Sequence, residues 1–121
     1  MGEVLPVLNG RLHGIAARVP VRDGSVVYLF TKLGKSVSVD DVNAVVKAAS
    51  QQDHLSGILS FSEEPIVSSD IIGNSHSSIY DSQFTAVIGD RYLRVLNWYV
   101  NVWGYSSRVC DLLARIGSWE T

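Results

Sequence analysis

Apolar positions alternate at the start of the chain. In residues 12 to 19, Ile15, Ala17 and Val19 point one way while Gly14, Ala16 and Arg18 point the other. That period of two predicts a strand, stopped by Pro20. Arg22-Asp23-Gly24-Ser25 carries the Asp-Gly turn signature, so a second strand over 25 to 33 follows at hairpin distance. It places Val27, Leu29 and Leu33 on one face, and Val26, Tyr28 and Phe30 on the other. Both faces are apolar, so this strand wants cover on both sides. The preceding residues 4 to 10 end in Asn9-Gly10 and read as a helix end, or an arm, running into a turn.

The period then changes. Ser38 stands three residues before Asp41, a serine cap with an acid at the third helical position, and Asp40 and Asp41 suit the positive end of a helix. Val42, Val45, Val46 and Ala49 form its apolar stripe, and the helix should run to about Ser50. Residues 57 to 61 read as a short strand. Pro65 breaks the chain, and 66 to 81, rich in Ser, Asn, Gly and His, reads as loop with short extended pieces. Strands from Phe84 to Ile88 and Tyr92 to Tyr99 are joined by Gly89-Asp90-Arg91, a hairpin turn signal. A last helix, 103 to 116, carries Val109, Leu112, Leu113 and Ile116 on one stripe, with Val102 as its possible start and Gly117 as its C′ residue. Hairpins dominate this order. It predicts one α+β domain, residues 1–121, with a mostly antiparallel sheet and helices packed on one face.

Composition adds to this picture. The 121 residues are 46% hydrophobic and 18% charged. The length suits one domain with one core, and the charge is below the usual value of about a quarter. Ten basic and twelve acidic residues give a net charge of −2 with no like-charge run. That argues against a nucleic-acid partner. No stretch approaches the roughly 18 apolar residues of a membrane span, so no membrane is expected. Met1-Gly2-Glu3-Val4-Leu5-Pro6 has no basic region leading into an apolar core and does not read as a signal peptide. A single cysteine, Cys110, forms no disulfide framework, and a reducing, cytoplasmic setting is the natural reading.

Most candidate chemistry falls away. No glycine-rich phosphate loop and no G-x-S-x-G elbow is present. His13, His54 and His76 lie far apart without metal-ligand spacing, so no metal is expected. Cys110 sits in the last helix beside Val109 and Asp111 and reads as a structural thiol. Glu63-Glu64, an acidic pair before Pro65, reads as a solvated turn. Arg18 differs, because it lies inside an apolar, small-residue strand. Such an arginine pairs with a carboxylate, binds an anion, or is an exposed residue of an edge strand.

Three stretches carry a family pattern. Leu12-His13-Gly14-Ile15-Ala16-Ala17-Arg18-Val19-Pro20 with Gly24-Ser25-Val26-Val27 is the first. Glu64-Pro65-Ile66-Val67-Ser68-Ser69-Asp70 through Gly73-Asn74-Ser75-His76-Ser77-Ser78-Ile79-Tyr80-Asp81 is the second. Asn97-Trp98-Tyr99-Val100-Asn101-Val102-Trp103-Gly104-Tyr105-Ser106-Ser107-Arg108-Val109 is the third and most specific. Together they resemble the phosphorylating glyceraldehyde-3-phosphate dehydrogenases, over the later half of that family's catalytic domain. The resemblance implies a parent reaction: a thiohemiacetal at cysteine, hydride transfer to NAD(P), then phosphorolysis. The family's S-C-T-T-N-C segment, its base histidine and its coenzyme domain have no match here. The resemblance therefore implies a truncated or engineered fragment with no catalytic residue and no cofactor of its own, inactive alone.

By the same resemblance, Arg18 matches an arginine that binds substrate or inorganic phosphate, Asn101 the asparagine that bonds the nicotinamide carboxamide, and Tyr105 a nearby tyrosine. All three are vestigial without the coenzyme domain, and Asn101 is then expected to cap the last helix. The family usually has acids where this chain has Tyr28, Val100 and Val102. Losing an acid near a helix start forfeits ~0.3–1 kcal/mol. Valine favours strand, so the changes make local sense if the strand from Tyr92 extends to Val102. Trp98, Val100 and Val102 would then share one face. Tyr28, Phe30, Trp98, Val100 and Val102 are expected to form a new core or a homodimer contact, so a homo-oligomer is expected, or union with the missing N-terminal part. The other readings are a binding or scaffold module presenting loop 62 to 81, a subunit completing an enzyme in trans, and a small enzyme using Arg18 with a loop carboxylate.

Overall fold

The computed structural model describes residues 3–119. Its organising strand is the last one, β5 (Tyr92–Tyr99), in a five-stranded sheet. One side of it is paired along its whole length by β1 (Ser25–Lys32), antiparallel, with Ser25 opposite Tyr99 and Lys32 opposite Tyr92. The other side carries β4 (Ala86–Ile88), which sets Val87 opposite Leu93, and β3 (Ser78–Asp81), which sets Ile79 opposite Trp98. β2 (Leu59–Ser62) lies outside β3 and runs parallel to it. The α+β class holds, and the sheet is mixed: three pairings are antiparallel and one is parallel. A parallel pair needs a long crossover, and the polar stretch from Glu63 to Ser77 supplies it without a helix.

Opposite residues share a face, so Ile79, Trp98 and Val26 line one side while Tyr80, Asn97 and Val27 line the other. The crossover folds over the first side. Its Ile71 joins Ile79 and Val100 in a buried cluster, with Ile66 and Trp98 packed against it. Over β2 and β3 the second side is covered by α1 (Val39–Ser50), whose Asn43 and Lys47 reach Tyr80 and Phe61. α1 begins where its sequence says. Ser38 Oγ accepts from Asp41 N at 3.1 Å, and Asp41 Oδ2 accepts from Ser38 N at 3.0 Å. The two orphan amides of the first turn are thus satisfied reciprocally.

Several sequence expectations are corrected. Residues 12 to 19 form no strand, and every residue from Asn9 to Asp23 is exposed. The alternation needs a neighbouring strand and finds none: β1 pairs with β5 alone, and no described strand lies along its outer edge. The Asp23-Gly24 turn does form, with Gly24 at φ +90° and its N–H donating to Asp23 Oδ1. β1 lacks the cover its two apolar faces want, since Tyr28 on one face is 54% exposed and Val27 on the other is 50% exposed. Phe84 belongs to a 3-10 turn (Ser82–Phe84), so β4 starts only at Ala86. β5 does not continue to Val102. It ends at Tyr99, and α2 (Asn101–Gly117) follows at once. Val100 keeps an extended backbone (φ −110°, ψ 109°) as the residue that precedes the helix, is buried against Ile71 and Ile79, and its carbonyl accepts the first helical bond from Gly104 N at 2.8 Å. Val102 is swung outward, away from Trp98 and Val100. The five residues expected to share a contact are therefore divided: Val100 is in the core, Trp98 is packed against it, and Tyr28, Phe30 and Val102 face outward. Gly117 is the last helical residue with no positive φ, and Ser118 closes the helix.

Candidate functional site

The candidate residues lie on two separate elements. Arg18 stands on the exposed 12–20 stretch, and its guanidinium makes no hydrogen bond or ion pair among the described residues. Of its three readings, carboxylate pairing is absent within these residues. An exposed guanidinium with its fork of donors free is chemically suited to an oxyanion.

Asn101 and Tyr105 share one face of α2, four residues apart at its N-terminal end, and both are exposed. Asn101 does not cap the helix. Val100 occupies the cap position, no side-chain cap bond forms, and Asn101 is the first helical residue. Its carboxamide is therefore left available beside the positive end of the helix. No described contact joins either residue to Arg18.

Three points hold this end of α2 against the sheet. Val100 is buried in the core. Gly104 lies so close to the crossover that a Cβ there would meet the His76 carbonyl oxygen at 3.4 Å. Arg108 Nη1 donates to Gly57 O and to Ser77 Oγ, each at 3.2 Å. In the same crossover, His76 Nδ1 meets Asn74 Oδ1 at 2.8 Å, which fixes the ring beside a shallow polar groove of about 310 Å³ lined by Lys47, Phe61, Glu63 and His76. Lys47 pairs with Glu63 at 2.8 Å there, so Glu63 is a partnered surface acid.

The buried polar groups serve the fold. Asn43 Oδ1 lies 2.7 Å from Thr85 Oγ1 and 3.2 Å from Tyr80 OH, the two hydroxyls meet at 2.6 Å, and two hydroxyl protons serve these three contacts. Burial pushes the Tyr80 phenol above its ordinary value, and the bond with Thr85 opposes that. Asn43 sits beside Val42 and Val46, and an asparagine within a valine stripe was the one sequence sign of this network. Arg108 and Asp81 carried no such sign. Among the described residues, no three His, Cys, Asp or Glu side chains gather as a metal site, and Cys110 is exposed on α2. No described helix is long and apolar enough to cross a membrane.

Arg18 on the 12–20 stretch thus exposes a guanidinium, and Asn101 and Tyr105 on α2 expose a carboxamide and a phenol. Comparison with known proteins names the class. A family model described as glyceraldehyde 3-phosphate dehydrogenase, C-terminal domain, matches residues 1–101. The chain belongs to that family. It is 51% identical over 117 residues to the glyceraldehyde-3-phosphate dehydrogenase of Mycolicibacterium smegmatis, covering 97% of this chain and 34% of that protein. It is 47% identical over 118 residues to the cytosolic enzyme of Pinus sylvestris, and 46% over 118 residues to that of Nicotiana tabacum. It covers 34% and 36% of those two proteins.

Proposed function

We propose that these 121 residues provide the substrate-anion and nicotinamide contacts of a glyceraldehyde-3-phosphate dehydrogenase, and that they do not catalyse alone. The parent reaction is the NAD-dependent oxidative phosphorylation of glyceraldehyde 3-phosphate. Arg18 binds a phosphate group, Asn101 bonds the carboxamide of the nicotinamide, and Tyr105 lines the same place. The nucleophile, the base and the coenzyme domain belong to the part of the enzyme outside these residues. The observation that carries this reading is the family match together with three exposed polar side chains, without a hydrogen-bond partner among the described residues, at the positions the family pattern marks.

A second observation favours joining with a partner. β1 presents apolar side chains on both faces, with Val26 45%, Val27 50% and Tyr28 54% exposed, and it is an end strand of the sheet. Such an edge invites a further strand or a second copy. The chain is accordingly a subunit that completes the enzyme in trans, or a homodimer when alone.

The test mixes this chain with the N-terminal part of a homologous dehydrogenase and follows NADH formation. Activity should appear only in the mixture, and Arg18→Ala should raise the KM for phosphate or substrate there. Turnover by the chain alone, or a silent mixture in which the two parts demonstrably associate, overturns the proposal. Light scattering of the isolated chain at high concentration should give twice the chain mass, and a strict monomer rejects the homodimer.

A further inference from the structure

α2 is long but thinly held. Of its 17 residues only Gly104 is buried. Val109, Leu112, Leu113 and Ile116, its apolar stripe, are 38%, 56%, 63% and 44% exposed. Apolar packing therefore does not set the direction in which this helix leaves the sheet. Val100 and Gly104 fix where it starts, four residues apart. Two points so close together leave the axis free to tilt.

Arg108 is the third point, a further four residues on and on the same face. Within Asn101–Gly117 it is the one described residue whose side chain bonds to another element. Its two acceptors are fixed to each other: Ser77 N donates to Ile58 O at 2.9 Å, and Gly57 immediately precedes Ile58. They stand where β2 and β3 begin. Asp111, three residues later on the helix, takes Nε at 2.8 Å and Nη2 at 2.7 Å. That pairing spends one edge of the guanidinium and aims Nη1 at Gly57 and Ser77. A planar fork makes this possible, and a lysine has no equivalent.

We infer that Arg108 is the positioning residue of the Asn101–Tyr105 face, latching α2 to the start of β2 and β3. The inference rests on the proposed nicotinamide role of that face, but the latch itself is testable without it. An ordinary surface pair between Arg108 and Asp111 would tie the helix only to itself and contribute little.

Amide hydrogen exchange on the isolated chain is the first arm. In Arg108→Ala, amides of α2 beyond Gly104 should exchange at least about tenfold faster, with β5 protection unchanged. Arg108→Lys keeps charge and helix propensity and should not restore protection. Ser77→Ala should give part of the effect, because it removes only an acceptor on the sheet side. Wild-type exchange in Arg108→Ala, full rescue by Arg108→Lys, or a silent Ser77→Ala overturns the latch. In the second arm, the Arg108→Ala chain mixed with the N-terminal part should show a raised KM for NAD with kcat within about twofold. An equal loss in kcat with unchanged KM overturns the positioning role. If the wild-type mixture is inactive, the nicotinamide reading fails, and exchange still decides the latch.

Discussion

Trp98 Nε1 donates to Asp81 Oδ2 at 3.0 Å, and Asp81 is wholly buried. The carboxylate takes its other bond from Gln83 N at 3.2 Å, and no cation pairs with it among the described residues. Two N–H donors thus hold a buried acid at the end of β3, and one of them is a side chain of β5. The contact ties the turn after β3 to the organising strand of the sheet.

The first prediction follows from that closure. Trp98→Phe keeps most of the packing against Ile71 and Val100 but leaves Asp81 Oδ2 without its donor. Loss of a partner at a buried acceptor costs about 1–3 kcal/mol. Urea denaturation should show that loss with an unchanged slope. An unaltered midpoint would mean that Asp81 finds another donor.

Gly24 gives the second. Its φ of +90° belongs to glycine, and a Cβ there would stand 3.1 Å from both Ile71 Cδ1 and Ser68 O. Ile71 is a core residue at 2% exposure. Gly24→Ala therefore meets a backbone cost of about 1–2 kcal/mol and a clash with a side chain that cannot yield freely. Gly34, with nothing within 4 Å and no positive φ, is the control. Gly34→Ala should stay within about 0.5 kcal/mol of wild type. Equal melting of the two variants would refute the argument.

The contrast between Ser38 and Val100 shows how far the sequence could be read. The capping box at Ser38 and Asp41 spans three residues, so it was visible along the chain and α1 starts there. The Gly89-Asp90-Arg91 turn and the pairing of β4 with β5 are equally local. Val100, the cap of α2, is buried by Ile71 and Ile79, and neither is near it in sequence. Residues 12 to 19 alternate correctly and still form no strand, because alternation states a face and not a partner. The parallel pairing of β2 with β3 was hidden for the same reason. Arg18, Asn101 and Tyr105 are candidates through the family pattern alone. The role of Arg108 was not legible, since its acceptors lie 51 and 31 residues away.

The capping box also sets an acid dependence. The side-chain bond from Ser38, then its backbone bond, hold the Asp41 carboxyl below its ordinary value of 3.8. A lowered folded value means stability that is present above 3.8 and lost as pH falls through the folded value. Ser38→Ala should cost about 1 kcal/mol near neutrality, the usual size of a lost N-cap. It should also reduce the part of the acid slope that Asp41 contributes. Denaturant midpoints measured at several pH values below about 5 test this, and parallel curves for the two proteins would reject it.

At the alkaline end Tyr80 contributes. Burial raises its phenol above the ordinary 10.0, against the smaller opposing effect of Thr85. The folded chain therefore keeps the neutral phenol while the unfolded chain ionises. Its contribution is complete below 10.0 and is lost as pH rises through the folded value. Tyr80→Phe removes the hydroxyl from a network in which Asn43 and Thr85 still bond each other at 2.7 Å. Near neutrality the variant should be less stable by about 1 kcal/mol. Above pH ~10 the wild type alone carries the Tyr80 ionisation penalty, so the two stabilities should converge. A gap that stays constant from neutral to strongly alkaline pH would show that Tyr80 ionises as easily folded as unfolded. The buried network between α1 and β3 would then admit a charge that its geometry should refuse.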